Sequence, residues 1–182
     1  MEYMFRDLKS NEIDVRIATC SEKGVSLLLY KDARVDQDIL DETVGAMNWQ
    51  RLHTRENANC IVQIWDKEKG QWISKEDTGT ESYTEKEKGL ASDSFKRACF
   101  NWGIGRELYT SPFIWVGADK VKIYDTKRKD KNGNPVYSTY DKFHVEAIEI
   151  TDKAITGLAI KNQNNQRVFT YRKVVKWNTL VN

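Results

Sequence analysis

The chain has 182 residues, of which 40% are hydrophobic and 31% charged, with 29 Lys and Arg against 27 Asp and Glu. That composition excludes a disordered or collagen-like polymer and gives the length for one domain, able to bury roughly 70% of its unfolded surface. The longest apolar run, Val25 to Tyr30, is far too short to span a bilayer.

The N-terminus MEYMFRDLKS lacks the apolar run of a signal peptide, so a cytoplasmic protein with no membrane contact is expected. The three cysteines, Cys20, Cys60 and Cys99, are odd in number and widely spaced. Reduced thiols are the simplest account. With two histidines and no C-x-x-C, a zinc site has little support, and no cofactor is expected.

In chain order the pattern predicts α+β. Glu12–Thr19 and Gly24–Tyr30 flank a Ser-Glu-Lys-Gly turn and read as a hairpin. Val35, Ile39, Leu40 and Val44 share one helical face, closed by Gly45. Trp49–Arg55, Cys60–Trp65 and Gln71–Lys75 read as three antiparallel strands. Asp77-Thr-Gly-Thr then forms a loop into a long helix.

That helix, within EKEKGLASDSFKRACFNWGIGRELY from Glu85 to Tyr109, sorts its residues onto two faces. At 100° per residue, Ala91, Phe95, Ala98, Cys99 and Trp102 fall in one apolar arc. Lys86, Asp93, Lys96, Arg97 and Phe100 lie opposite. One side can dock on a core while the other presents cations held in place. Thr84 and Glu87 have capping-box spacing, and Gly103 and Gly105 stand where helices often close.

Beyond Pro112 the chain is again strand-like. Phe113–Val116 and Val121–Tyr124 are short apolar runs, and Lys127–Pro135 is a cationic turn around Asn132-Gly133. Phe143–Ile150, Ala154–Ile160 and Arg167–Tyr171 read as a meander with a turn at 162–165. The tail from Lys173 to Asn182 carries no assignment.

Charge is unevenly spread. Residues 1–100 hold 15 Lys and Arg against 19 Asp and Glu, whereas residues 101–182 hold 14 against 8. Segregated charge suits a polyanion, and equally suits head-to-tail packing of identical subunits.

Catalytic patterns are poor: there is no Walker A, G-x-S-x-G or H-E-x-x-H. A metal-dependent nuclease would draw on Asp66, Glu76 and Asp77, or on the D-x-K of Asp125 and Lys127. His53 and His144 sit in strand-like segments and read as partly buried structural residues. A non-enzyme that binds a charged polymer is the preferred reading. Phe100 could stack a base beside Lys96 and Arg97, or pack on a neighbouring subunit. A structural assembly protein with an acidic partner is the other alternative.

A family resemblance rests on these residues. Arg34, Val35, Leu40, Glu42, Gly45 and Trp49, then the three-strand segment, E-D-T-G-T-E, K-E-K-G-L-A-S-D-S-F-K-R-A and the G-I-G-R-x-L-Y ending follow in order. Over about Gly24 to Tyr109 the chain resembles the Rad-fifty-two-type single-strand annealing proteins, the short phage versions most of all. The resemblance implies a β-β-β-α core over residues 24–109, inside the single domain 1–182, whose strand-like stretch 113–172 forms a C-terminal β extension outside the family motifs. It implies ATP-independent annealing in recombination and repair, by oligomeric rings or helical arcs that hold single-stranded DNA in a basic groove. It further implies a host cytoplasm, and a phage exonuclease or single-strand-binding protein as partners. The helix doublet maps onto Lys96 and Arg97, and a basic groove residue onto Arg34. The family's further helix cation falls at Phe100, for which Arg106 could compensate, with Lys86 on the same face. Lys67 and Lys69 are the nearest candidates for an outer DNA site.

Overall fold

The computed structural model describes residues 3–80 and 86–173, and side chains throughout except at 86–88. The architecture is α+β, with two α-helices and antiparallel sheets. Among the described residues no helix is long and apolar enough to cross a membrane.

The elements run β1 (Asp14–Ser21), β2 (Gly24–Tyr30), α1 (Ala33–Val44), β3 (Trp49–Thr54), β4 (Asn59–Asp66), β5 (Gln71–Thr78), α2 (Lys86–Asn101), β6 (Ile114–Gly117), β7 (Tyr124–Lys129), β8 (Pro135–Ser138), β9 (Phe143–Thr151), β10 (Ala154–Asn162) and β11 (Arg167–Arg172). Contacts gather them into two compact units, one within Met1–Leu8 and Lys31–Arg106, the other within Lys9–Tyr30 and Glu107–Asn182.

In the first unit, β3, β4 and β5 form an antiparallel sheet, and α2 packs on β4 and β5. β4 alternates, so Cys60, Val62 and Ile64 are buried beneath the helix. From α2, Phe95, Ala98 and Cys99 are buried, and Ala91 and Trp102 are half-buried. Burying a Phe side chain is worth about 1.5–3 kcal/mol. On α1, Ile39 and Leu40 are buried, Val35 and Val44 half-buried, and Gly45 closes the helix at φ 86°.

Gly79 in the Asp77-Thr-Gly-Thr loop has a packing reason. A Cβ there would lie 2.6 Å from the Ser94 backbone nitrogen and 2.9 Å from the Leu90 carbonyl. The loop thus lies directly on the α2 backbone. It is tied by Asp93, whose carboxylate accepts from the Thr80 backbone N–H at 2.9 Å.

In the second unit, the order β11-β10-β9-β1-β2-β6 makes one six-stranded antiparallel sheet. The N-terminal hairpin and the C-terminal meander are therefore one structure. Leu27 pairs with Ile114 on one side of the hairpin, and Asp14 with His144 on the other. β2 pairs with β1 as the hairpin reading predicts, although it falls within the span of the family resemblance. β7 and β8 form a separate hairpin.

Two expectations shift. The run at Val121–Tyr124 is not a strand; pairing begins at Tyr124 and extends through Lys129, inside the stretch read as a turn. His144 is exposed, because on β9 the buried side chains are Phe143 and Val145. Helix α2 ends at Asn101, just before Gly103 as the glycine spacing predicts, and residues Arg106–Thr110 form a 3-10 turn. The capping box at Thr84 and Glu87 lies outside the described residues, as does the tail beyond Lys173.

Candidate nucleic-acid interface

The interface begins with how α2 ends. Gly103 adopts φ 96°, the Ile104 N–H reaches the Cys99 carbonyl at 3.2 Å, and the Gly103 N–H reaches Phe100 at 3.0 Å. These two bonds close the helix as a Schellman motif, with buried Ile104 as its apolar contact. Remaining carbonyls are taken by cations. Arg106 donates from Nε to the Phe100 carbonyl at 2.6 Å and from Nη2 to Asn101 at 3.0 Å. Lys75 Nζ donates to Asn101 at 2.7 Å and sits 4.6 Å from the Trp102 ring centroid. Positive charge at a helix C-terminus is favourable, so Arg106 is here a capping group.

At the other end of the site, Asp32 caps α1 by accepting from the Arg34 backbone N–H at 2.8 Å. The Arg34 guanidinium folds back on the same carboxylate at 2.9 Å, with its side chain 83% exposed. Hydrogen bonds from Arg34 hold the Asp32 carboxyl below its ordinary value, and Lys96 adds to that pull. The Arg34 guanidinium is raised in turn by Asp32. Lys96 on α2 therefore lies in the field of the α1 N-terminus. Its half-buried side chain has no ion pair or hydrogen bond among the described residues.

Arg97 points a different way. Its Nε stands 3.4 Å from Asp77 at the end of β5, where Asn101 also donates to Asp77 at 3.3 Å. This cation is 40% exposed and its carboxylate 31%. Exposed pairs of this kind are worth about 0–1 kcal/mol, so an arriving phosphate can displace the carboxylate at little cost.

Beneath this face lies a buried ion pair. Lys31 donates to both oxygens of Asp36 at 2.5 Å, with side-chain exposures of 1% and 0%. Burial pushes the Asp36 carboxyl up to about 6, against the opposing pull of Lys31. The Lys31 ammonium stands 5.0 Å from the Phe100 ring centroid. Phe100 is thus half-buried and already carries a cation of its own chain. Gly105, at φ 72°, completes the packing, since a Cβ there would lie 2.3 Å from Lys31 Cε and 3.2 Å from Phe100 Cε1.

The remaining predicted residues lie elsewhere. Lys67 and Lys69 sit in the β4–β5 turn, exposed, with Lys69 3.7 Å from Asp66. Lys69, Lys75 and Arg106 share a cleft of about 350 Å³ with Asp66 and Trp102. The side chain of Lys86 is outside the described residues. Arg34 and Lys96 thus both act on Asp32, Arg97 turns to Asp77, Lys67 and Lys69 lie in the β4–β5 turn, and Arg106 caps the end of α2. The sequence does not single out Asp32, and it names Asp77 only as a nuclease carboxylate and Asp93 only as a residue of the cationic face.

The carboxylates named for a nuclease do not all come together. Asp77 pairs with Cys60, at the opposite end of β4 from Asp66, so six residues of strand separate them by about 20 Å. Asp125 binds Lys127 at 2.9 Å instead of a shared site. Among the described residues no three His, Cys, Asp or Glu gather to hold a metal. The three cysteines are free, and burial raises all three thiols, Cys60 to about 11. No family model, curated protein or solved structure matches the chain.

Proposed function

We propose that this chain binds single-stranded DNA by its backbone and anneals complementary strands without ATP, in the manner of the Rad-fifty-two-type proteins it resembles. In this reading β3, β4, β5 and α2 are the β-β-β-α core, and copies assemble into a ring or arc that repeats the basic face. A phage exonuclease or single-strand-binding protein would act beside it in the host cytoplasm. The observation that carries the reading is Lys96. Among the described residues it is a cation without an ion pair, on a helix anchored by Phe95, Ala98 and Cys99, and it acts on the same carboxylate, Asp32, that the exposed Arg34 binds.

The chemistry follows from that placement. Arg34, Lys96 and Arg97 can each contact a phosphate, and phosphate contacts carry no sequence information. Any strand can then be held while its bases stay free to test a partner. A few such contacts are weak, and repetition along an oligomer makes them strong. Pairing itself supplies the driving free energy.

Lys96→Ala with Arg97→Ala should abolish annealing while leaving the oligomer's size intact, read by a strand-annealing assay beside light scattering. Both side chains lie off the buried face, so the fold should survive. Normal annealing by this double variant would remove the site assignment.

A further inference from the structure

We propose that the β7–β8 hairpin is a second binding element for single-stranded nucleic acid, in which Arg128, Lys129 and Lys131 hold phosphates and Tyr140 stacks a base. The element uses none of the residues on α1 or α2.

Residues 120–142 contain seven Lys and Arg against three Asp and no Glu. Each of the three carboxylates is engaged by local donors. Asp125 accepts from the backbone N–H and the ammonium of Lys127 at 2.8 and 2.9 Å. Asp130 accepts from the backbone N–H groups of Asn132 and Asn134, both at 2.8 Å, and from Asn134 Nδ2 at 3.1 Å. Asp141 accepts from the Lys122 N–H at 2.8 Å and from Gln163 Nε2 at 2.9 Å. The acidic groups thus build the turns and, apart from the Asp125–Lys127 pair, engage none of the side-chain cations around them. The exposed side chains of Arg128, Lys129 and Lys131 make no ion pair or hydrogen bond among the described residues.

The backbone of the hairpin is bent to present them. Its register shifts between Asp125 and Lys129, and Lys127 takes φ 60°. A left-handed conformation costs a non-glycine residue about 1–2 kcal/mol. The Asp125–Lys127 contact and the Thr126 hydroxyl, which donates to the Val136 carbonyl at 2.6 Å, hold the bulge. Bulges re-aim side chains. On β7 every side chain but Thr126 is exposed, so hydrophobic burial does not explain the strand.

The aromatic rings choose among polyanions. Tyr140 is 84% exposed, and its ring centroid lies 5.5 Å from that of Tyr124. Lys122 stands 5.5 Å from the Tyr124 ring. Tyr124 opens β7 and Lys129 ends it, so the rings lie about 15 Å along the ribbon from the cations at its tip. Cations at one end of a ribbon and an open ring at the other are what a strand with accessible bases needs, and stacking is sequence-tolerant. An acidic peptide or an anionic bilayer would use the charge alone.

The test uses the full chain, a labelled oligodeoxythymidine and anisotropy over a salt series. Arg128→Ala, Lys129→Ala and Lys131→Ala combined should weaken binding at least about tenfold and reduce the salt slope by about 2, from three contacts at about 0.7 each. Tyr140→Ala should weaken it about tenfold as well, and should have no effect on an abasic strand. All four side chains are exposed, so unfolding midpoints should not move. Wild-type affinity in the triple variant would overturn the proposal. So would an equal loss on anionic vesicles with Tyr140→Ala silent. If Lys96→Ala with Arg97→Ala leaves annealing untouched while the triple variant binds weakly, the α2 reading fails and this one stands. The converse result overturns this one alone.

Discussion

At the scale of single residues, Lys31 and Asp36 determine how the basic face is held. Lys31 immediately precedes the α1 cap and reaches Asp36, Phe100 and the Gly105 backbone, so one side chain joins the start of α1 to the end of α2. Asp36 titrates at about 6 because it is buried, so the folded chain holds that proton more tightly than the unfolded chain, whose value is 3.8. Its contribution to stability is therefore complete below about 4 and is lost as pH rises through 6. Lys31→Met removes the compensating cation and should cost about 3–5 kcal/mol at neutral pH. The loss should shrink as pH falls toward 6, because without the pull of Lys31 the buried Asp36 takes up its proton at a higher pH than in the native chain. Adding Asp36→Leu should recover most of the loss at neutral pH, since replacing both charges leaves neither buried alone. Urea midpoints of the three proteins at two pH values measure this. A Lys31→Met penalty that does not vary with pH would contradict the account. Gly105→Ala should act at the same point, since the new methyl meets Lys31 Cε.

At the scale of elements, α2 is both a core wall and the carrier of the cations. Phe95 is fully buried, lies 6.1 Å from Trp49 in a stacked arrangement, and has the Arg51 guanidinium 4.9 Å from its ring. Phe95→Ala should cost about 3–5 kcal/mol, seen as a lowered urea midpoint. At temperatures where the variant still folds, DNA binding should weaken less than in the Lys96 and Arg97 variant. Much of this element was legible: Phe95, Ala98 and Cys99 fall on one arc at 100° per residue, and all three are buried. The strand β9 was legible for a similar reason, an alternating pattern, and β2 and β4 as short apolar runs beside turn signals. β7 was not, because its exposed side chains carry no hydrophobic alternation and its pairing is made by the backbone and a bulge. Local spacing also could not reveal that Gly79 lies on the α2 backbone, or that Phe100 sits beneath Lys31. Both depend on partners far away in sequence. The cations at Arg34, Lys96 and Arg97 could be read from the chain, whereas the carboxylates beside them required the fold.

At the scale of the whole molecule, the net charge of +2 understates the asymmetry, and salt dependence is where that asymmetry becomes measurable. If Arg34, Lys96 and Arg97 each replace a counterion on a single strand, one subunit should contribute a slope of about −2 in log affinity against log salt. Asp32 and Asp77 compete for two of those cations, so the slope should fall short of that value at low salt, where the ion pairs are least screened. Lengthening the oligonucleotide should steepen the slope in steps as further subunits engage, if affinity is built by repetition. Asp77→Asn frees Arg97 from its carboxylate and should raise affinity a few-fold, with a steeper slope. Binding that is insensitive to salt and to strand length would mean that the strand is not held through its phosphates. The identity of the bases should matter little in the same series, because the contacts on α1 and α2 address the backbone. A strong preference for one homopolymer that survives in the Tyr140→Ala variant would require a base-reading pocket that these cations do not form.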